Sequence, residues 1–372
     1  MTATSPEISR DTETSPAAAT PGRAARMRFE EALLPSLVAL LVAAIVGDIL
    51  IVIFGQAPAA VFRLLLEGTW GNSYGFGQVL YKATTLTFTG LSIAFALRAG
   101  LFNIGAESQL AAGGFVAATV GLILPPGLPW LVTLPVYIAA AALGGGVVGG
   151  VAGELKSRFG AHEVITTIML NFIVLALLSY LTATYLKVPE TLHTREVQSG
   201  AFFRLADFLS AFHGSAANVV LVLAFLACVV AWWYLFKTRR GFELRAVGLQ
   251  PEAAEYGGVR PGAVWTRAMT ISGAIAGIGG LNFVLGYKHY YEEGFAGGAG
   301  FLGIAVALVG GTHPLGVMIA ALLFATISQG GLAVNAMVPK QFVEVLQAVV
   351  IIAVAVSVPE VRRLLRAQRR RD

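Results

Sequence analysis

Asn103, Glu107 and Gln109 fall within one short stretch, LRAGLFNIGAESQ at 97–109, beside Gly100 and Gly105. Carboxamide and carboxylate groups at this density can hold or gate a hydrogen-bonding solute. They can equally mark the hydrated start of a helix, where Glu107 meets the positive end of the helix dipole. A second set, Glu163, Thr166, Thr167 and Asn171, follows His162 at i, i+3, i+4, i+8 spacing and marks one helical stripe. Facing lipid, such a stripe is costly, so it faces a bundle interior, as interhelical glue or as one wall of a translocation route. Thr84, Thr85, Thr87, Thr89 and Ser92 form a third set. These hydroxyls either bond back to their own helix or line a pore. Thr270, Ser272 and Asn282 surround the Gly- and Ala-rich 273–280, where close packing competes with a lining role. Asp48 stands alone in an apolar run, paired with a neighbouring helix or hydrated near an interface.

Other chemistry is absent from the sequence. No G-x-x-x-x-G-K-[ST] phosphate loop occurs, and no Gly-Lys dipeptide exists anywhere in the chain. H-E-x-x-H is missing, no His/Asp/Glu set has metal-ligand spacing, and the single Cys228 excludes a disulfide or thiolate framework. These absences argue against an enzyme and predict no directly bound cofactor or metal.

The elements that position the polar sets are membrane spans. Hydrophobic residues make up 56% of the 372, charged residues only 13%, and the mean hydropathy is +0.74. Soluble domains carry about 25% charged residues. The fold class expected is all-α and polytopic, with ten spans near 33–54, 79–97, 105–124, 130–152, 163–186, 218–236, 263–285, 299–312, 315–332 and 341–358. The third and eighth are short, Gly-rich and candidates for re-entrant or broken spans. With both termini cytoplasmic, 19 of the 26 Lys and Arg residues fall on the inner side, as the positive-inside rule requires. The net charge of +5 is therefore an orientation signal and gives no indication of nucleic-acid binding. Residues 1–28 are expected to be a disordered tail, 29–360 the transmembrane domain and 361–372 a basic cytoplasmic tail. Outside, 187–217 is the longest loop, with an amphipathic helix expected over 201–212, and 55–78 offers a second landing surface.

One polar island interrupts the apolar runs at 237–260, KTRRGFELRAVGLQPEAAEYGGVR. It has the punctuation of two short helices: 242–247 stopped by Gly248, then a second opened by Pro251 and closed at Gly257-Gly258. A secondary transporter, with coupling ions at midplane carboxylates, finds thin material in Asp48, Glu107 and Glu163. A channel would need a filter ring, which is not evident. A permease driven by a separate ATPase needs a folded cytoplasmic docking element, and the island supplies one.

GLFNIGAESQL (100–110), EVITTIMLNFI (163–173) and ELRAVGLQPEAAEYGGV (243–259) resemble the inner-membrane permease subunits of bacterial ABC importers, in the branch with ribose-type sugar and branched-chain amino acid permeases. The likeness is strongest to nucleoside-type permeases, where FNIGAEGQ recurs; Ser108 stands here in place of that glycine. The resemblance covers about residues 35–358. It implies a bacterial inner-membrane location, a cytoplasmic ABC ATPase that uses the ATP, a second permease subunit and an extracytoplasmic binding protein or lipoprotein. It also implies that the 237–262 loop is the coupling element, in which Arg245, Gly248, Pro251, Glu252, Ala253, Ala254, Tyr256 and Gly257 transmit the ATPase stroke.

The solute expected is neutral, because Asn, Gln, Thr and Ser dominate the candidate lining and no intramembrane Lys or Arg is placed to neutralise a charge. Nucleosides or purine compounds lead, then simple sugars, then branched-chain amino acids. The cavity is expected between spans two, three, five and seven.

Overall fold

The computed structural model describes residues 41–353, apart from 43, 199–208, 340, 342 and 343. The tails at 1–28 and 361–372, the start of the first expected span and the end of the tenth lie outside the described residues. So does most of the amphipathic helix expected over 201–212, of which Ser210–Phe212 forms a single 3-10 turn.

Among the described residues the chain is helical, with two isolated β-bridges and no strand. In order the helices are α1 (Ala44–Ile53), α2 (Pro58–Thr69), α3 (Ser73–Arg98), α4 (Ala106–Ile123), α5 (Trp130–Phe159), α6 (Glu163–Leu181) and α7 (Val220–Lys237), then α8 (Arg239–Leu249), α9 (Pro251–Tyr256), α10 (Pro261–Gly279), α11 (Leu281–Val284), α12 (Ala299–Val309), α13 (Pro314–Ala333) and α14 (Glu344–Ala353). A one-turn π segment, Thr182–Leu186, extends α6.

Six of these are long and apolar enough to cross a membrane, and seven if α1 and α2, bent by 114° at their junction, count as one. The difference from the ten expected lies in particular elements. The seventh expected span is broken at Gly280 into α10 and the four-residue α11. The eighth is α12, only 11 residues long, and the described part of the tenth is the short α14. At about 1.5 Å per residue, an 11-residue helix covers roughly half of a ~30 Å hydrocarbon core. The third expected span forms fully, as the 18-residue α4.

Helix ends follow local chemistry. Asn72 caps α3, its side chain accepting from Gly75 N at 2.6 Å. Basic residues Lys156 and Arg158 occupy the last turn of α5, which stops at Gly160 with φ +64. Thr238 accepts from Gly241 N at 3.0 Å and so separates α7 from α8.

α3 and α4 occupy the centre, with most of their residues buried, whereas few residues of α6 and α7 are buried. A small-residue seam joins α5 to α10. Ala141, Gly145 and Gly149 meet Met269, Gly273 and Gly277, and a Cβ on Gly145 or Gly149 would strike the carbonyl of Gly273 or Met269. Four-residue spacing on both helices lets the backbones touch, which in lipid replaces the hydrophobic drive available in water. One apolar core gathers Phe95, Met269, Val306 and Phe324; a second gathers Phe115, Tyr137, Val284 and Tyr291.

Candidate functional site

The polar sets converge, mostly on one another. Gly100, at φ +75, reverses the chain after α3 and returns it towards α4. On that return lies Asn103, fully buried. Its Nδ2 donates to Gln109 Oε1 at 2.8 Å and to Ser272 Oγ at 2.8 Å, while its Oδ1 accepts from Gln109 Nε2 at 3.1 Å and Gly105 N at 3.0 Å. Ser272 Oγ in turn donates to the Ser92 carbonyl at 2.7 Å. Ser92, Asn103, Gln109 and Ser272 thus tie α3, α4 and α10 into one satisfied network, which the low local dielectric strengthens.

Three further side chains of the expected site fasten helix ends. Glu107 accepts from Gly298 N at 2.8 Å and Gly300 N at 2.6 Å, so its carboxylate caps α12 rather than only its own helix. Gly300 allows this approach, since a Cβ there would collide with the Glu107 backbone. Asn171 accepts from Ser108 N at 3.1 Å and donates to the Ile104 carbonyl at 2.9 Å, pinning α6 to the start of α4. Asn282 donates to the Tyr81 carbonyl and to Thr85 Oγ1, both at 2.8 Å, and accepts from Asn218 Nδ2 at 2.9 Å. The hydroxyls of Thr84, Thr87, Thr166 and Thr167 bond back to carbonyls of their own helices. Glu163 pairs with Lys156 at 2.9 Å, joining α5 to α6.

A cavity of about 630 Å³ opens between α3, α12, α13 and α14, and the segment 295–298 closes one side. Its polar lining comes from Tyr81, Lys82, Thr85, Ser328, Glu344 and Gln347. Of the expected lining residues, Thr85 faces this cavity; the others lie in the network and helix-end contacts just described. Of spans two, three, five and seven, only the second borders it.

Lys82 adds a cation to the cavity lining, where the sequence points to carboxamides and hydroxyls. It sits inside α3, on the cavity wall, 3.4 Å from both the carbonyl and the hydroxyl of Ser328. Glu344 stands in the same lining. Sequence reasoning missed Lys82, Ser328, Glu344 and Gln347, although a cation in an apolar run, and an acid and amide three residues apart, are readable signals.

At the far end, α8 and α9 form the two short helices expected in the island. Gly248 packs against the end of α3, where a Cβ would strike the Arg98 carbonyl. Ala254 is the buried residue of α9. Pro251, Glu252, Ala253 and Gly257 are exposed, with Tyr256 96% and Leu249 87% exposed. Arg245 points elsewhere, with its guanidinium 5.2 Å from the Phe236 ring centroid.

Six or seven helices long and apolar enough to cross a membrane, packed about a polar cavity, describe a multi-pass membrane protein. A protein-family description, "Branched-chain amino acid transport system / permease component", matches residues 75–355, and the chain belongs to that family. It is 35% identical over 328 residues to the guanosine ABC transporter permease protein NupP of Bacillus subtilis, covering 87% of this chain and 93% of the relative. It is 33% identical over 328 residues to the nucleoside ABC transporter permease protein NupB of Lactococcus lactis, covering 86% and 90%. The glucose ABC transporter permease protein TsgB13 of Haloferax volcanii is 31% identical over 330 residues, covering 85% of each. No solved structure matches the chain.

Proposed function

We propose that this chain is the translocating subunit of an ATP-driven importer for nucleosides or related purine compounds in a bacterial inner membrane. The observation that carries this is its likeness, over nearly the whole length, to two relatives named for guanosine and nucleosides. The cavity is compatible in size and chemistry. About 630 Å³ lies within the usual range for small-molecule sites, and its lining mixes hydroxyls, a carboxamide and one group of each charge with apolar side chains, as suits a neutral hydrogen-bonding solute. Glucose is the second reading, favoured by the 31% identity to the Haloferax permease.

In this account the chain crosses ten times with both termini cytoplasmic, and α8–α9 face the cytoplasm. A separate ATPase, which hydrolyses the ATP, docks on the exposed side of α9 through Glu252, Ala253 and Tyr256. Its closure moves α8, and Gly248 passes the motion to Arg98 and the 99–105 return. The Asn103 network carries it to α4 and α10, and Glu107 carries it to α12, one wall of the cavity. The bundle then shifts between outward- and inward-open populations. A second permease subunit and an extracytoplasmic binding protein or lipoprotein complete the importer.

Uptake of radiolabelled guanosine by cells with and without the gene tests this. Uptake should persist when proton and sodium gradients are dissipated and stop when ATP is depleted. Loss with the gradients alone would favour an ion-coupled transporter.

A further inference from the structure

Arg98 ends α3 and Arg245 lies on α8, yet both guanidiniums rest against one ring, that of Phe236 near the end of α7. Their distances to its centroid are 5.6 and 5.2 Å. His313 stacks on the same ring at 5.7 Å and 27°. Arg98 Nε donates to the Thr312 carbonyl at 3.1 Å, which fixes one guanidinium at the α12–α13 turn. Arg245 Nε is out of reach of solvent and has no acceptor.

No carboxylate is paired with either arginine among the described residues. Glu243, the acid of α8, is taken by Arg239 at 3.2 Å and Arg267 at 3.4 Å. The neighbouring Lys237 lies over the Trp232 ring at 5.7 Å. His313 offers no negative charge; burial, and then the Arg98 charge, hold its pKa below the usual histidine value. Two partly buried cations therefore stand together uncompensated, one with an unsatisfied donor. Both conditions are costly. One multi-oxygen anion relieves both, since guanidinium forks match phosphate oxygens.

The surroundings indicate where that phosphate comes from. Trp233, one turn before Phe236, and Leu315 and Ile319, at the start of α13 beyond His313, are 56%, 49% and 69% exposed. An apolar flank running away from a pair of cations matches acyl chains below a headgroup. We propose that the surface where the ends of α3, α7 and α8 meet the 310–313 turn binds the phosphate of an anionic phospholipid of the cytoplasmic leaflet. The choice of leaflet rests on the orientation proposed above; the phosphate site does not depend on the transported solute.

Native mass spectrometry of the assembled transporter tests this directly. The complex is titrated in detergent with phosphatidylglycerol or phosphatidylcholine. Phosphatidylglycerol should be retained selectively, and Arg98→Gln with Arg245→Gln should lower its retention about tenfold. Arg260→Gln, an exposed charge elsewhere, should leave it unchanged. Arg98→Lys with Arg245→Lys, which keeps charge but loses the fork, should retain an intermediate amount. If the glutamine pair does not assemble, single Arg245→Gln carries the comparison. Equal retention of both lipids, or unchanged retention in the glutamine variants, would overturn the proposal. Displacement by millimolar inorganic phosphate would also overturn it, by assigning the arginine pair to a soluble anion. Retention only after the ATPase is stripped away would assign the arginines to an acid on that partner, against the lipid.

Discussion

Asn103 and Gln109 form a reciprocal amide pair. Asn103 Nδ2 donates to Gln109 Oε1 at 2.8 Å, and Gln109 Nε2 donates back to Asn103 Oδ1 at 3.1 Å, both side chains fully buried. The pair lies where α3, the 99–105 return, α4 and α10 meet. A fully satisfied buried network fixes one packing arrangement and makes each member expensive to remove.

Asn103→Ala should lower stability by about 1–3 kcal/mol, because Gln109 and Ser272 lose their partner without access to water. Thermal unfolding of the purified protein in detergent measures this. A shift no larger than that of a surface substitution would show that the network is not a structural keystone.

Glu107→Gln separates charge from shape. The carboxylate accepts two backbone N–H groups at the start of α12, whereas an amide offers one oxygen and turns a donor towards the second. Folding should survive with a lower melting temperature, and transport per molecule should fall because the cavity wall at 298–300 loosens. Uptake normalised to membrane abundance separates the two effects.

The stripe on α6 divides into unequal halves. Thr167 bonds only to carbonyls of its own helix, whereas Asn171 bonds to Ser108 N and the Ile104 carbonyl across a helix gap. Thr167→Val should change stability by less than about 1 kcal/mol, and Asn171→Leu should cost about 1–3 kcal/mol through orphaned buried groups. Paired melting curves in detergent check the order; a larger loss from Thr167→Val would contradict it.

Gly248→Ala introduces a Cβ into the Arg98 carbonyl and must push α8 off the end of α3. The expected result is a correctly inserted complex whose ATPase activity no longer responds to solute. Glu252→Arg, on the exposed side of α9, should weaken ATPase docking instead, read as reduced co-purification of the ATPase. Normal coupling in the Gly248 variant would break the proposed route between α8 and the Asn103 network.

His313 gives a pH dependence with a definite sign. Its pKa is lowered from 6.5, first by burial and then by Arg98, so the folded protein resists a proton that the unfolded chain accepts. The contribution of His313 to stability is complete above pH 6.5 and declines as pH falls below it. His313→Gln should flatten this decline below pH 6.5 in melting experiments.

Much of this architecture is legible in the sequence, for identifiable reasons. Apolar runs long enough to span locate α3 to α7, and Thr238, Gly248 and Pro251 punctuate α8 and α9. The Gly-rich eighth span was marked as short or broken and is the half-length α12. The identity of polar partners was not legible. Glu107 reads locally as a cap for its own helix, and its partners at 298 and 300 are supplied by tertiary packing. Thr167 and Asn171 share a stripe by spacing, but only packing decides that one bonds backwards and the other across. Lys82 lies nine residues into α3, and its place on the cavity wall beside Ser328 is likewise decided by packing.

The most direct test of the central claim uses the chain, its ATPase, its second permease subunit and its binding protein reconstituted in vesicles. Radiolabelled guanosine uptake is followed with ATP supplied on the α8–α9 side. The account predicts accumulation that requires ATP, is competed by unlabelled nucleosides and is insensitive to excess glucose. ATP-dependent uptake of glucose that nucleosides do not compete, with no accumulation of guanosine, would contradict it.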